Sequence, residues 1–369
     1  MKIAPLIRAI RNADGASERI DWRLVHTGQH YDAAMSDIFF SELGIPAPHI
    51  NLEVGSGTQA VQTANIMKEF EPVCLTERPD WMVVVGDVNS TVACTLVASK
   101  LGIKVAHVEA GLRSYDRTMP EEINRLVTDA LADLLLTPSA DADENLKREG
   151  IPASKIVLVG NIMIDALVAN LEKSRAGRVL KANELEDRKF VYVTLHRPSN
   201  VDDPVSLSSI MLELTRLAAQ MPVVFPMHPR TRKMCAQFGI SCDQIVGLKV
   251  LDPIGYHDSL CLTEKARFVL TDSGGLQEET TFFRTPCLTL RPNTERPVTI
   301  TVGSNRLTTV ETLRADVADV LSRPERLGEI PLLWDGHAAD RIVKALLERS
   351  GTGENQLHGS RKQKQPLAC

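Results

Sequence analysis

Short apolar runs alternate along the chain with longer segments in which apolar residues recur at helical spacing. RLVHTG (23–28), WMVVVGD (81–87), KVAHVEA (104–110), DLLLTPS (133–139) and KIVLVGN (155–161) predict one series of strands. FVYVTLH (190–196), MPVVFPMH (221–228), LKVLDP (248–253), RFVLTDS (267–273) and PCLTL (286–290) predict a second. Between most of them lie segments such as NSTVACTLVASKLG (89–102) and PEEINRLVTDALAD (120–133). Their apolar residues return about every 3.6 positions, the period of a helix. Strands this apolar suit sheets covered on both faces, and regular strand–helix alternation predicts an α/β chain. The expected fold is two doubly wound, Rossmann-like parallel-sheet domains facing a cleft.

The boundaries follow from the same pattern. Segment 165–189 runs from DALVANLEK to ANELEDRK without a strand signal and reads as a helix plus the connection. An N-terminal domain is therefore expected over 1–170 and a C-terminal one over 171–350, its last helix crossing back to the first. The polar stretch 351–369, GTGENQLHGSRKQKQPLAC, has no periodicity and reads as a disordered tail. A doubly wound domain opens with a strand and a ligand-facing loop, whereas this sequence opens in the helical segment MKIAPLIRAIRN (1–12). The first strand of the N-terminal domain thus reads as missing, leaving unpaired backbone groups inside the sheet. The expectation is a natural start roughly 10–20 residues upstream, and poor stability and little activity for the chain as it stands.

Composition narrows the function. With 369 residues, 43% hydrophobic and 24% charged, the chain has the make-up of a globular protein with room for two cores. A net charge of −5 gives no footprint for nucleic acid or an anionic membrane. No apolar run approaches the roughly 20 residues of a membrane span. Seven cysteines, an odd number without a C-x-x-C pair, favour free thiols in a reducing cytoplasm over disulfides or a zinc site.

In doubly wound sheets, ligands sit beyond the carboxyl ends of the strands. Here those ends carry Gln29 and His30, Asp87, Glu109, His196, His228 and Asp272-Ser273-Gly274-Gly275. TDSGGLQEE (271–279) follows a strand and opens a helix, so its small residues suit an anion at a helix N-terminus. The competing reading is a tight turn capped by Ser273. Glu278 or Glu279, one turn on, suits ribose hydroxyls. Glu109 ends an apolar strand, where a carboxylate needs a partner or a function; Arg113 is the obvious local partner. Asp87 competes with a role as helix cap. Glu121 fits a capping box with Thr118 and a helix pair with Arg125. His196 and His228 end neighbouring strands, each beside arginine, which suits phosphate.

Together these motifs resemble the non-hydrolysing UDP-N-acetylglucosamine 2-epimerases, from about residue 2 to 348. GDVNST (86–91), HVEAGLRS (107–114), MPEEINR (119–125), GNIMIDAL (160–167), LHRPSN (195–200), HPRTR (228–232), TDSGGLQEE and NTERPVTITVGSNRL (293–307) carry the resemblance. It implies a GT-B-like fold, a homodimer, a UDP-sugar substrate and neither metal nor nicotinamide cofactor. It also implies interconversion of UDP-GlcNAc and UDP-ManNAc, by expulsion of UDP, passage through 2-acetamidoglucal and re-addition, in the supply of cell-surface polysaccharide. By position, Asp87, Glu109, Glu121 and His196 match the family's catalytic residues. Lys2, Ser273, Gly274, Gly275, Glu279 and Arg296 match its UDP contacts, and Arg113 and His228 join them as candidate substrate contacts. A Gly-x-Arg-Pro loop of the family, whose arginine helps hold the UDP phosphates, has no counterpart here. Gln29, His30 and Gln59 match a second, activator-binding site. Asp32 stands there where glutamine is expected and an arginine near Gln59 is absent, so weak or no activation is expected. Four other activities compete: epimerisation of a 2,3-diacetamido uronic acid nucleotide, hydrolytic release of ManNAc, glycosyl transfer, and binding without catalysis.

Overall fold

The computed structural model describes residues 1–13, 20–28, 44–351 and 366–368. It divides into two compact units, Met1–Ala166 with Asp335–Cys369, and Leu167–Trp334. In chain order the strands are β1 (Arg23–His26), β2 (Ile50–Asn51), β3 (Trp81–Val85), β4 (Lys104–Val108), β5 (Leu134–Thr137) and β6 (Ile156–Leu158). They continue with β7 (Val191–Thr194), β8 (Val223–Pro226), β9 (Leu248–Leu251), β10 (Phe268–Thr271), β11 (Cys287–Leu290), β12 (Asn305–Thr308) and β13 (Pro366–Ala368).

The first unit is built on a sheet of order β2-β1-β13-β3-β4-β5-β6. Its strand pairs are parallel. One face is covered by Leu6 and Ile10 of helix Ile3–Ala13 and by Ile342 and Leu346 of helix Ala338–Gly351. Ile66 and Phe70 of helix Gln59–Glu77, with Val97 of helix Asn89–Lys100, cover the other. Cover on both sides explains why β3 and β5 read as unbroken apolar runs.

The interior place expected to be empty is filled. Strand β13 stands between β1 and β3, Leu367 facing Arg23 on one side and Met82 on the other. Two flanking edges with unpaired N–H and C=O groups demand such a strand. These three tail residues are therefore a strand, contrary to the disorder expected of 351–369.

In the second unit the order is β12-β11-β10-β7-β8-β9, and its strand pairs are parallel too. Read along the chain this is the doubly wound order, which reverses between β7 and β10; the crevice at such a reversal takes ligands. Leu207, Ile210 and Leu214 of helix Pro204–Ala218 pack on one face. Leu262 of helix Tyr256–Lys265 packs on the other. No helix among the described residues is long and apolar enough to cross a membrane.

Candidate active site

In the first unit two loops at strand ends carry carboxylates. Gly86, after β3, turns with φ 76°, and its N–H donates to the Val108 carbonyl at 3.1 Å. A Cβ at Gly86 would lie 3.1 Å from Lys2 Nζ and 3.6 Å from Glu109 Oε2, so this turn leaves room for that pair. Glu109 itself holds φ 73°, a left-handed conformation that costs a non-glycine residue about 1–3 kcal/mol. The Leu136 carbonyl stabilises it by accepting from Glu109 N at 3.0 Å and Ala110 N at 3.2 Å. Its buried carboxylate pairs with Lys2, not with Arg113.

Asp87 is partly exposed and pairs with Arg125. Its carbonyl accepts from Asn124 Nδ2 at 2.9 Å. The cap position of the following helix is held by Val88, which makes no side-chain bond. The capping box at Glu121 is also absent: Met119 holds the cap position, and Thr118 bonds Asp116 at 2.6 Å. Glu121 instead lines a pocket with Gln59, Gln62, Asn89 and Asn124.

The helix partner of Arg125 is Glu122, at 2.9 Å, which sequence reasoning missed. Glu122 also accepts from Ser114 N at 3.0 Å and Tyr115 N at 2.9 Å. Burial raises its carboxyl, but the Ser114 N–H and Arg125 outweigh this and hold it below the usual range. It thereby ties the loop after Glu109 to the arginine beside Asp87.

Arg113 is a correction. Its guanidinium is buried and donates to Glu149 Oε1 and Oε2 at 2.7 Å each, to Asp129 Oδ2 at 2.7 Å and to the Leu112 carbonyl at 2.7 Å. With its donors engaged inside the unit, it is a structural cation and not a substrate contact. Gln29 and His30 lie outside the described residues, as does Asp32; Gln59 opens helix Gln59–Glu77 on the wall of the Glu121 pocket.

In the second unit, the loops after β7 and β10 meet at the sheet's reversal. Buried Asp272 accepts from His196 N at 2.9 Å, Arg197 N at 2.8 Å and Asn200 Nδ2 at 3.1 Å, and its other oxygen lies 2.8 Å from His196 Nδ1. Burial raises the Asp272 carboxyl, yet His196 and these N–H groups bring it below the ordinary range. An ionised Asp272 fixes a proton on Nδ1 and turns Nε2 outward. The exposed His228 ring lies 5.9 Å from that of His196, its Nδ1 accepting from Arg230 N at 3.1 Å.

Ser273 sits at the cap of helix Gly274–Phe283 but makes no side-chain cap bond, so the simple capping alternative fails. A Cβ on Gly274 would lie 3.1 Å from both Arg296 Nη1 and Glu295 Oε1, which brings Gly274 and Arg296 together; Gly275 borders open space. Arg296 Nε pairs with Glu278 at 2.7 Å. Glu279 is buried, and burial with the nearby Glu278 charge pushes its carboxyl up to about 8.

That shift has a stability consequence. Between about pH 4.5 and 8 the folded chain keeps a proton on Glu279 that the unfolded chain releases. Unfolding therefore becomes easier as pH rises through this window, and the slope vanishes above it. Glu279→Gln flattens this part of the profile, which denaturant midpoints at pH 5, 6.5 and 8 will measure.

Known proteins similar to this chain share one family and fold. The family profile described as UDP-N-acetylglucosamine 2-epimerase matches residues 13–347. The chain is 42% identical to the UDP-N-acetylglucosamine 2-epimerase of Methanocaldococcus jannaschii, over 94% of this chain and 95% of that one. It is 41% identical to the UDP-2,3-diacetamido-2,3-dideoxy-D-glucuronate 2-epimerase of Pseudomonas aeruginosa, over 88% and 90%. A crystal structure of the Methanocaldococcus enzyme with UDP-GlcNAc and UDP superposes with TM-score 0.82, covering 94% of this chain and 96% of that one at 42% identity.

Proposed function

The chain belongs to the UDP-N-acetylglucosamine 2-epimerase family, and on that premise we propose how its residues invert carbon 2 of UDP-GlcNAc. It is an isomerase, and the product of this inversion is UDP-ManNAc. The hydrogen at carbon 2 is not α to a carbonyl, so direct deprotonation is prohibitively slow. Expelling UDP first solves this. The C1–O bond breaks with its electron pair leaving on UDP, and the sugar passes through an oxocarbenium-like state. A carboxylate then takes the carbon-2 proton, giving 2-acetamidoglucal. UDP adds back, and a proton returns to the opposite face of carbon 2, so no water is consumed.

The observation that carries this reading is the pair of carboxylates at adjoining strand ends, Glu109 beside Lys2 and Asp87 beside Arg125. Anions placed there stabilise developing positive charge on the sugar, and two bases serve two faces. Glu121, on the neighbouring helix, completes the trio. In the second unit the diphosphate is assigned to His196, His228 and the helix N-terminus at Ser273, Gly274 and Gly275, with Arg296 beside it. Glu279, carrying a proton, suits a ribose hydroxyl. The reduced thiols of Cys235, Cys242, Cys261 and Cys287 support a reading of the enzyme as cytoplasmic, and its family resemblance implies a homodimer, which sedimentation equilibrium will test.

Incubation with UDP-GlcNAc alone, followed through the anomeric protons by NMR, tests the reaction. UDP-ManNAc at equilibrium is the expected product. Free ManNAc would establish hydrolysis instead. The 41% identity to the Pseudomonas enzyme favours a diacetamido uronic acid nucleotide as the second reading; turnover of that compound with UDP-GlcNAc inert would decide for it.

A further inference from the structure

Behind the loops of Asp87 and Glu109 lies a buried cluster to which the reaction above gives no role. His107, inside β4, is wholly buried; its Nδ1 lies 2.6 Å from Asp129 Oδ1 and its Nε2 lies 2.9 Å from the Gly86 carbonyl oxygen. Asp129, on helix Pro120–Leu131, is buried too. Its other oxygen accepts from Gly111 N at 3.0 Å and from Arg113 Nη1 at 2.7 Å.

A carbonyl oxygen only accepts hydrogen bonds. So does an ionised carboxylate that already faces an N–H and a guanidinium. A neutral imidazole has one N–H and would leave one of its two contacts acceptor against acceptor. The Asp129 carboxyl, which burial alone would raise, is brought below its usual range by His107 and Arg113. With His107 charged, the group of His107, Arg113, Asp129 and Glu149 holds two charges of each sign, the condition under which buried ions are tolerated.

From this geometry we propose that His107 is held as an imidazolium and, with Asp129, positions both catalytic loops. Gly86 immediately precedes Asp87, and His107 fixes its carbonyl. Gly111 follows Glu109 by two residues, and Asp129 fixes its N–H. All three turning residues have positive φ: 76° at Gly86, 73° at Glu109 and 80° at Gly111. Gly111 has no freedom to move outward either, because a Cβ there would lie 2.5 Å from the Ala142 carbonyl oxygen. One ion pair therefore sets where two carboxylates stand relative to each other. The proposal rests on reading Asp87 and Glu109 as the acid–base groups.

The test combines a spectroscopic and a kinetic readout on the full chain. With histidine labelled with ¹⁵N and His107 assigned through the His107→Gln spectrum, both ring nitrogens are expected to show protonated shifts at neutral pH. A non-protonated nitrogen overturns the proposal; should His107→Gln fail to fold, the wild-type ring is assigned through its own backbone resonances instead. Asp129→Asn keeps shape but removes the charge. We expect turnover to fall about 10²-fold, as for a displaced reacting group, with KM for UDP-GlcNAc within about twofold. Wild-type turnover for Asp129→Asn, alongside an inactive Glu109→Gln, refutes the positioning role and leaves the reaction intact. An active Glu109→Gln refutes both.

Discussion

Replacing Glu109 by glutamine lowers turnover of UDP-GlcNAc by about 10²–10⁴-fold, the loss usual for an essential acid–base group. KM changes little on the proposed assignment, in which His196, His228, Ser273, Gly274, Gly275 and Arg296 of the second unit hold most of the nucleotide. The substitution is nearly isosteric, so it preserves the left-handed backbone at φ 73° and the two hydrogen bonds to the Leu136 carbonyl. What it removes is the negative charge facing Lys2 and the capacity to hold a proton. Asp87→Asn removes the matching charge beside Arg125 and has an effect of the same order. Steady-state kinetics by coupled assay or NMR measures both. Near-normal turnover in either variant strikes that residue from the mechanism.

Arg113→Met acts on the fold rather than on substrate affinity. The side chain is buried between Asp129 and Glu149, and methionine replaces its volume without its charge. Breaking a buried pair by removing one partner costs about 3–5 kcal/mol, because the partner charge stays behind in a medium that cannot solvate it. Asp129, 1% exposed, is that partner. Glu149 is one-third exposed and recovers water, so Glu149→Gln has a much smaller effect. Denaturant unfolding followed by the tryptophans of the first unit reads the difference. A stable Arg113→Met that had lost only UDP affinity would restore the discarded role in substrate binding.

Much of this architecture is written locally in the chain. Apolar runs such as WMVVV and LLLT are buried on both faces, and Asp87 and Glu109, just past β3 and β4, stand at the strand ends as expected. The fold class followed from the same alternation. What escaped was decided at long range or by near-equivalent neighbours. Glu121 and Glu122 both lie at helical reach of Arg125, and only the packing of helix Pro120–Leu131 turns Glu122 inward. Arg113 meets Glu149, 36 residues away, a pairing with no local signature. Strand β2 has two residues, β12 is the half-polar NRLT, and β13 is PLA in a charged tail. None of these shows a period. β13 is fixed by the hydrogen-bonding demand of β1 and β3, which a one-dimensional reading does not register. His107 left a faint signal, a histidine within a run otherwise destined for the core, where burial demands partners on both sides of the ring.

On the proposed mechanism, carbon 2 is inverted through loss and return of its proton after UDP departs. Run in heavy water with UDP-GlcNAc as sole substrate, the reaction should give UDP-ManNAc carrying deuterium at carbon 2, scored by the collapse of that proton signal and by mass. UDP-ManNAc that retains its original hydrogen there would contradict the account.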